Sequence, residues 1–319
     1  MSYSLAAVTF GEPMAMFRAE EAGELHEARS FSKALAGAES NVATGLCRLG
    51  HKTGYVTKLG EDSFGRFILQ AQQQEGIDTS SVTFSKERPT GMLLKSKVTS
   101  GDPKVEYFRK QSAASTLSVA DFDADYFASA GHLHVTGISA ALSPSMLEFS
   151  RHAMGYMKQL GRTVSFDPNL RPVLWQDQET MIATINELAA RSDWFFPGIG
   201  EARLLTGLQE PEEIADFYLD KGVSLVVIKM GPEGAFYKNA GGADFAAGYK
   251  VEEVVDTVGA GDGFAAGVIS ALLEQADVRS AVMRGNALGA LAVMSPGDMD
   301  GLPTREQLEA FLASAVSAG

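Results

Sequence analysis

The stretch of sequence that decides the fold is Asp256-Thr257-Val258-Gly259-Ala260-Gly261-Asp262-Gly263-Phe264-Ala265-Ala266-Gly267. Its glycines let the backbone turn with positive φ and bring successive N–H groups to one point, where a helix N-terminus adds partial positive charge. Such a point binds phosphate. A carboxylate there would repel the anion, so Asp262 makes chemical sense if an attacking hydroxyl lies between them. A plain helix N-terminus with a capping Asp explains only part of this string.

The composition of the chain favours a large globular protein. With 319 residues, of which 45% are hydrophobic and 21% charged, the chain can bury a sizeable core. The single Cys47 excludes an intrachain disulfide and favours a reducing cytoplasm. No apolar run reaches the roughly 18 residues of a membrane-spanning helix. A net charge of −13 and a pI near 4.9 argue against nucleic-acid binding, so anions must bind at local sites.

Short apolar strands alternate with amphipathic helices along most of the chain. The predicted strands are 5–10, 53–58, 132–136, 163–166, 194–196 and 225–229, and the predicted helices include 38–49, 63–75, 144–160, 178–190 and 211–221. This alternation predicts an α/β fold with a mostly parallel central sheet and helices on both faces. A hairpin near 234–247 leads into the glycine stretch, and two helices end the chain. Ligands of such sheets lie beyond the carboxyl ends of the strands.

Two segments, near residues 12–35 and 90–112, lie outside the alternation. The second contains two predicted strands, 91–98 and 104–109, joined by the turn Ser100-Gly101-Asp102-Pro103. We expect residues 1–319 to form one domain into which both segments are inserted as a small β-sheet lid. Tyr107 and Arg109 alternate along the lid strand and therefore face the same way. An exposed strand could also show that pattern by chance.

Two further polar strings follow predicted strands directly. Lys229-Met230-Gly231-Pro232-Glu233-Gly234 places a lysine and two glycines where a ligand would lie, although a Gly-Pro turn predicts much the same string. Asp167-Pro168-Asn169-Leu170-Arg171-Pro172 concentrates polar groups between prolines, and its simpler explanation is an Asx-turn. His132 and His134 share one strand face, but without a third ligand ordinary packing and hydrogen bonding explain them better than a metal site.

With these strings in order, the chain resembles the PfkB (ribokinase-like) carbohydrate kinases over essentially its full length. Two signatures carry the resemblance. The first runs from Gly37-Ala38-Glu39-Ser40-Asn41-Val42-Ala43 through Leu49-Gly50 to Lys58-Leu59-Gly60-Glu61-Asp62-Ser63-Phe64-Gly65, and the second is the stretch quoted above. Gly11-Glu12-Pro13-Met14, the Tyr107-Phe108-Arg109 strand and 167–175 look most like the family members that phosphorylate 2-keto-3-deoxygluconate.

The resemblance implies a role for individual residues. Asp262 would be the catalytic base toward the primary hydroxyl of the sugar, and Gly259, Ala260 and Gly261 would form the anion hole. Asp256 and the Val258 carbonyl match positions that bind a monovalent cation such as K+. Glu201 matches the glutamate of a magnesium and phosphate motif, N-x-x-E, whose asparagine is here Gly198. The remaining matches are, for the nucleotide, Asn169, Lys229, Gly231, Gly234 and Asn286 and, for the sugar acid, Gly37, Asn41, Tyr107, Arg109, Arg171 and Asp298.

The implied reaction is the transfer of a phosphoryl group from ATP, with Mg2+, to a sugar acid. Because a sugar acid must approach a protein of charge −13, it needs dedicated cations, and Arg109 and Arg171 can each bind a carboxylate bidentately. Asp262 needs no raised pKa for this chemistry, since aligning the nucleophile is the larger contribution. A kinase for fructose, ribose or a 5-keto-2-deoxy sugar acid is the nearest alternative, and a catalytically silent sugar sensor is another. Exposed lid edges also favour a homo-oligomer.

Overall fold

The computed structural model describes residues 3–98 and 103–317. Its strands are β1 (Leu5–Phe10), β2 (Met14–Ala22), β3 (Phe31–Ala36), β4 (Thr53–Gly60), β5 (Val82–Ser85), β6 (Met92–Lys97), β7 (Val105–Phe108), β8 (Ala130–Thr136), β9 (Thr163–Asp167), β10 (Trp194–Phe195), β11 (Leu225–Lys229), β12 (Gly234–Asn239) and β13 (Gly242–Ala247). Its helices are α1 (Ala38–Arg48), α2 (Ser63–Gln74), α3 (Ala124–Ala128), α4 (Gly137–Leu142), α5 (Pro144–Gln159), α6 (Gln178–Ala189), α7 (Ile199–Thr206), α8 (Pro211–Leu219), α9 (Ala260–Leu273), α10 (Val278–Ala292) and α11 (Arg305–Ser317).

The central sheet has nine strands in the order β13-β12-β11-β10-β9-β8-β1-β4-β5. All pairs from β11 to β5 are parallel, while β11–β12 and β12–β13 are antiparallel. The sheet direction therefore changes only at the edge formed by the predicted hairpin. The mostly parallel sheet that the alternation predicted is confirmed, and the carboxyl ends of its parallel strands share one edge.

Hydrophobic cores cover both faces of the central sheet. In β11, Val226 and Ile228 belong to one core while Leu225 and Val227 belong to the other. Side chains of α5, α6, α7 and α8 complete the first core, and those of α1, α9, α10 and α11 complete the second. Because successive side chains of a strand point to opposite faces, such a strand is apolar throughout, as its sequence is.

The lid is a separate four-stranded sheet in the order β3-β2-β6-β7. Its strands come from the two segments that interrupted the alternation, and β2 and β6 pair in parallel at its centre. Helix α2 packs against it through Ile68 and Phe64, next to Phe17 of β2. Residues 100–102 of the predicted Ser100–Pro103 turn lie outside the described residues.

Three short elements were not predicted from the sequence. Strand β5 lies at the edge of the central sheet with no fully buried side chain, so it has little apolar signal. Helix α4 follows β8 without a connecting loop, and helix α7 contains a glycine in its first turn. Both helices are shorter than the length over which helical periodicity becomes evident.

Helix α9 occupies the most enclosed position of the fold, with every residue from Asp262 to Ala271 buried. A Cβ on Gly45 of α1 would lie 2.8 Å from the Ala266 Cβ, and a Cβ on Gly267 would lie 2.8 Å from the Gly285 Cα of α10. The three helices thus approach each other almost at backbone contact. This packing fixes where the N-terminus of α9 points.

We expect Gly267→Ala to lower the free energy of unfolding by about 1–3 kcal/mol, because the added methyl group would overlap the backbone of α10. The matched control is Gly155→Ala in α5, where an added Cβ has no neighbour within 4 Å. Because alanine has less backbone freedom than glycine in the unfolded chain, this control should raise the free energy of unfolding by roughly 0.5–1 kcal/mol. Urea unfolding followed by circular dichroism measures both, and equal effects would contradict the packing described for α9.

Candidate active site

A polar cavity of about 350 Å³ lies between the lid and the carboxyl ends of the central strands. Several elements converge on it: the ends of β1, β9 and β11, the lid strands β6 and β7, and the first residues of α1 and α9. Its lining includes thirteen of the predicted site residues, namely Gly37, Asn41, Tyr107, Arg109, Asn169, Arg171, Glu201, Lys229, Val258, Gly259, Gly261, Asp262 and Asp298. Residues that are far apart in the sequence therefore meet in one place.

A second, more apolar cavity of about 710 Å³ lies beside the first. Gly231, Gly234, Ala260 and Asn286 line it, together with apolar side chains such as Val251, Val254 and Phe264. Both cavities include Lys229, Thr257 and Gly261 in their linings. They therefore meet at the N-terminus of α9, where backbone N–H groups are free to bind an anion.

Asp262 lies at this junction and is only 8% exposed. Asn41 donates its side-chain amide to Asp262 Oδ2 at 2.7 Å, and Asn169 donates to Oδ1 at 3.2 Å. Burial raises the pKa of Asp262 to about 7, an effect that the Asn41 hydrogen bond opposes and the Asp167 carboxylate reinforces. The group is thus a fixed carboxyl that changes protonation near neutral pH, which suits a general base.

The predicted anion hole begins at a strained glycine. Gly259 has φ +83° and precedes the first residue of α9. A Cβ there would lie 2.2 Å from the Asp298 carbonyl oxygen, so any other residue would displace the segment after α10 that contains Asp298. The Gly261 backbone lies near the Lys229 ammonium group, which would be 3.5 Å from a Cβ at that position. Backbone donors, a helix N-terminus and a lysine are thus close to one another.

Lys229 is the last residue of β11, and Asp167 is the last residue of β9. Their side chains form an ion pair with a distance of 2.6 Å. The lysine faces both cavities, as expected for a group that contacts a phosphate between them. Gly231 and Gly234 both have positive φ, and a Cβ on Gly234 would lie 2.1 Å from the Ala246 carbonyl oxygen. Asn286 donates its amide to the carbonyl oxygens of Ala246 and Ala247, which ties α10 to the hairpin.

Asn169 lies in the polar cavity and not in the apolar one, although the sequence assigned it to the nucleotide. Its φ of +36° is unusual for a residue with a side chain, and its amide contacts Asp262 instead. The short polar side chain of Asn tolerates this backbone conformation. Its placement indicates that Asn169 orients the carboxyl group of Asp262.

Arg109 and Arg171 line the same polar cavity but in different states. Arg109 is largely buried and donates its Nε to Glu12 Oε2 at 2.6 Å, and its guanidinium lies 5.6 Å from the centre of the Tyr107 ring. Arg171 is exposed, and its one side-chain hydrogen bond within the described ranges goes to the carbonyl oxygen of its neighbour Leu170. A ligand carboxylate can therefore recruit Arg171 without breaking an ion pair.

Asp256, predicted to bind a monovalent cation, already has partners within the chain. Asp256 Oδ2 lies 2.6 Å from the Lys95 ammonium group, and its Oδ1 accepts a hydrogen bond from Val258 N at 3.0 Å. Asp298, predicted as a sugar contact, lies 3.0 Å from the same ammonium group. The Asp256 carboxylate does not fit a monovalent cation, because the Lys95 ammonium group occupies one of its oxygens and the Val258 N–H group contacts the other.

Glu201, the predicted magnesium ligand, is also engaged by the backbone. Its carboxylate accepts hydrogen bonds from Leu170 N at 2.7 Å and from Gly198 N at 2.8 Å, on different oxygens. Within residues 3–98 and 103–317, no group of three His, Cys, Asp or Glu side chains could hold a metal ion. A magnesium ion at this site would therefore depend on ligands from a bound phosphate, as is usual for Mg2+ in phosphoryl-transfer sites.

Sequence reasoning missed two carboxylates that line the polar cavity. Glu12 is fully buried, and its Oε1 has no hydrogen-bond partner among the described residues. Glu39 is fully buried as well; its Oε1 accepts hydrogen bonds from Thr136 and Ser139, and burial raises its pKa. Glu12 follows β1 directly, so the strand-end criterion that selected Asp167 and Lys229 would also have selected it.

His132 and His134 have the structural role that their spacing suggested. His132 contacts the hydroxyl groups of Thr163 and Ser165, and His134 contacts Ser165, all at 2.8 Å. Burial lowers the pKa of His134 to about 3. Both rings are therefore neutral and serve the packing of β8 against β9.

Comparison with known proteins agrees with this geometry. Residues 5–305 match the pfkB family of carbohydrate kinases. A 2-dehydro-3-deoxygluconokinase of Bacillus subtilis is 60% identical over 97% of this chain and 96% of its own length. A PfkB protein from a Polaromonas species has a TM-score of 0.90 at 48% identity, over 96% of this chain and all of its own. A putative ribokinase II from E. coli, in complex with ATP and Mg2+, has a TM-score of 0.90 at 28% identity, over 97% and 99%.

The site and these similarities define a carbohydrate kinase. The chain belongs to the pfkB family. The ribokinase-like fold expected from the two sequence signatures is confirmed.

The pKa of Asp262 generates a pH prediction. Because the carboxylate is the form that accepts a proton, kcat/KM for the sugar should fall as pH decreases through about 7. Asn41→Leu removes a hydrogen bond that lowers the pKa, so it should move this fall to higher pH. Steady-state rates over a range of pH give both values.

Asn286→Leu is the control for this pH profile, since Asn286 lines the apolar cavity and has no contact with Asp262. It should leave the acidic limb of the profile unmoved. A limb that stays in place in Asn41→Leu, or that moves equally in both variants, would contradict the assignment of that limb to Asp262.

Proposed function

We propose that the protein transfers the γ-phosphoryl group of ATP to the primary (6-) hydroxyl of 2-keto-3-deoxygluconate, which gives 2-keto-3-deoxy-6-phosphogluconate. The observation that carries this proposal is the position of Asp262, a buried carboxyl at the junction of a polar and an apolar cavity. A sugar acid in the first cavity and a nucleotide in the second would meet at the N-terminus of α9. The Bacillus subtilis relative is named a 2-dehydro-3-deoxygluconokinase, and 2-dehydro-3-deoxygluconate is another name for 2-keto-3-deoxygluconate.

The charges around the polar cavity support a sugar acid over a neutral sugar. Arg171 has no ion-pair partner among the described residues and faces a cavity that also contains several carboxylates. In a protein of net charge −13, this is the cation best placed to attract an anionic substrate. Arg109, oriented by Glu12, offers the rest of its guanidinium to the same ligand. We therefore assign both arginines to the substrate carboxylate.

In this mechanism Asp262 aligns the hydroxyl and accepts its proton. Asn41 and Asn169 donate hydrogen bonds to the two carboxylate oxygens, so the Asp262 carboxylate is already oriented before the substrate binds. The hydroxyl oxygen forms a bond to the γ-phosphorus as the bond to the ADP oxygen breaks, and the proton remains on Asp262. The amides of Gly259, Ala260 and Gly261 and the dipole of α9 stabilise the charge on the transferring group.

Lys229 and Mg2+ complete the charge balance on the ATP side. Lys229 faces both cavities and would follow the phosphoryl group from one to the other. Magnesium bound to the ATP phosphates supplies neutralising charge. We propose that Glu201 lies next to that ion. Glu201 lines the polar cavity, and each of its carboxylate oxygens keeps one lone pair beyond its hydrogen bond from the backbone.

We place the reaction in the cytoplasm, where ATP is made and where the free thiol of Cys47 stays reduced. None of the helices in the described ranges is long and apolar enough to cross a membrane. We also propose that two copies of the chain pair through their lids. Tyr107 and Phe108 at the β7 edge are 49% and 53% exposed, and an uncovered strand edge with such side chains favours pairing.

A phosphorylation screen tests the proposed substrate. ADP release would be measured with 2-keto-3-deoxygluconate, 5-keto-2-deoxygluconate, fructose and ribose under the same conditions. We expect the highest kcat/KM for 2-keto-3-deoxygluconate and phosphate on its 6-hydroxyl. A higher value for a neutral sugar would overturn the substrate, and thermal stabilisation by sugars without ADP release would indicate a binding protein.

Asp262→Asn should lower kcat by roughly three orders of magnitude or more, because it removes the base while it keeps most of the shape. Binding of ATP should persist, since Asp262 does not line the apolar cavity. Isothermal titration with an ATP analogue and steady-state kinetics measure the two quantities. Near-normal turnover would rule out Asp262 as the base.

Arg171→Gln should raise the KM for the sugar acid about tenfold or more while it changes the KM for a poor neutral substrate little, because one charged hydrogen bond is lost. Arg171 is a cleaner test than Arg109, whose removal would leave the buried Glu12 unpaired. Arg66→Gln, an exposed arginine outside both cavities, is the control. Equal changes in KM for acid and neutral substrates would argue against carboxylate recognition.

A further inference from the structure

A buried lysine lies between two acidic residues next to the anion hole. Lys95 belongs to lid strand β6, and its ammonium group is 2.6 Å from Asp256 Oδ2 and 3.0 Å from Asp298 Oδ1. The side chain of Lys95 is 4% exposed, and those of the two aspartates are 9% and 10% exposed. Charges buried to this degree are unfavourable unless they are paired. The three groups therefore form one unit.

The lysine is charged within this unit. Two carboxylates lie within 3.0 Å of the ammonium group, and opposite charges at such distances favour its charged form. An ammonium ion thus donates to both carboxylates at physiological pH. It reduces the negative charge that the two aspartates bring close to a phosphate-binding loop.

The unit also controls the backbone of the anion hole. Asp256 Oδ1 accepts a hydrogen bond from Val258 N, which fixes the chain immediately before Gly259. On the other side, the backbone of Asp298 lies so close to Gly259 that only glycine fits. If the two carboxylates repelled each other, both segments that bracket the anion hole would move apart.

We infer that the Lys95 ammonium group supplies, from within the chain, the positive charge that a monovalent cation would otherwise provide beside Asp256, so that phosphoryl transfer needs no such cation. Lys95 is a positioning residue, because it acts through Asp256 and Asp298 and does not line either cavity.

Lys95 belongs to lid strand β6, and this strand also lines the polar cavity. Two residues before Lys95, Leu93 lines the polar cavity and pairs with Tyr107 of β7. The same strand therefore contacts the sugar side of the site and holds the anion hole in place.

The test compares the intact protein with Lys95→Met in buffers of equal ionic strength that contain choline, Na+, K+ or NH4+. Turnover rests on the proposed kinase function, whereas the midpoint of thermal unfolding does not, so the two readouts separate the two ideas. Lys97→Met is the matched control, since Lys97 lies on the same strand but is exposed and donates its ammonium group to the Glu20 carbonyl oxygen.

For the unmodified protein and Lys97→Met, we expect turnover and unfolding midpoint to be the same in choline and in K+. Lys95→Met should lose about tenfold or more of its turnover in choline, as loss of a stabilising charge near the transferring group should. K+ or NH4+ should restore much of that loss and raise its unfolding midpoint, while Na+ and choline should do so less.

Activation of the unmodified protein by K+ of about tenfold or more would overturn the inference. So would a folded Lys95→Met that is fully active in choline, or one that no monovalent cation restores. If Lys95→Met does not fold, the titration of the unmodified protein with K+ decides the question alone.

Discussion

The backbone contact between helix α9 and its two neighbours is the constraint on which the rest of the structure depends. Because Gly45, Gly267 and Gly285 carry no side chain, α9 lies almost against α1 and α10 and is buried from Asp262 onward. The approach of α1 brings Asn41 to the Asp262 carboxyl group. The burial that raises the pKa of that group and the hydrogen bond that orients it thus have one geometric origin.

Buried charge is the second constraint on the site. Glu12, Glu39, Asp167 and Asp262 all line a cavity that has to accept an anion. Arg109 and Lys229 pair with two of them, and hydroxyl groups hold a third. Asp262 accepts hydrogen bonds from two neutral amides and, within the part of the chain that the structure describes, forms no ion pair. Burial raises the pKa of Asp262 to about 7 and also raises the pKa of Glu39 and of Asp167, so these three groups hold their protons more tightly than exposed carboxyls do.

Much of the fold could be predicted from the sequence because its main elements are long and strongly patterned. The strands that became β1, β8, β9 and β11 were evident as apolar runs, and the lid was evident where the alternation failed. The strand-end rule also placed Asp167 and Lys229 correctly at one edge, since parallel strands share that edge. Short, weakly buried elements such as β5 had no comparable signal.

Most of the side-chain partners in the site could not be predicted. Lys95 and Glu12 look ordinary in the sequence, and their importance arises only when the lid closes over the strand ends and pairs them with Asp256 and Arg109. The position of Asn169 depends on a backbone conformation of φ +36°, which no residue pattern specifies. Contacts between segments that are distant in the sequence decide such pairs. The sequence therefore predicts the chemical role that each residue type can have, but not its partner.

A crystal structure of the protein with 2-keto-3-deoxygluconate and a non-hydrolysable ATP analogue would show directly whether Asp262 faces the acceptor hydroxyl. We expect the primary hydroxyl within about 3 Å of Asp262, in line with the γ-phosphorus, and the sugar carboxylate next to Arg171 and Arg109. A sugar bound in the reverse direction, with its carboxylate near the anion hole and its primary hydroxyl away from Asp262, would rule out Asp262 as the base.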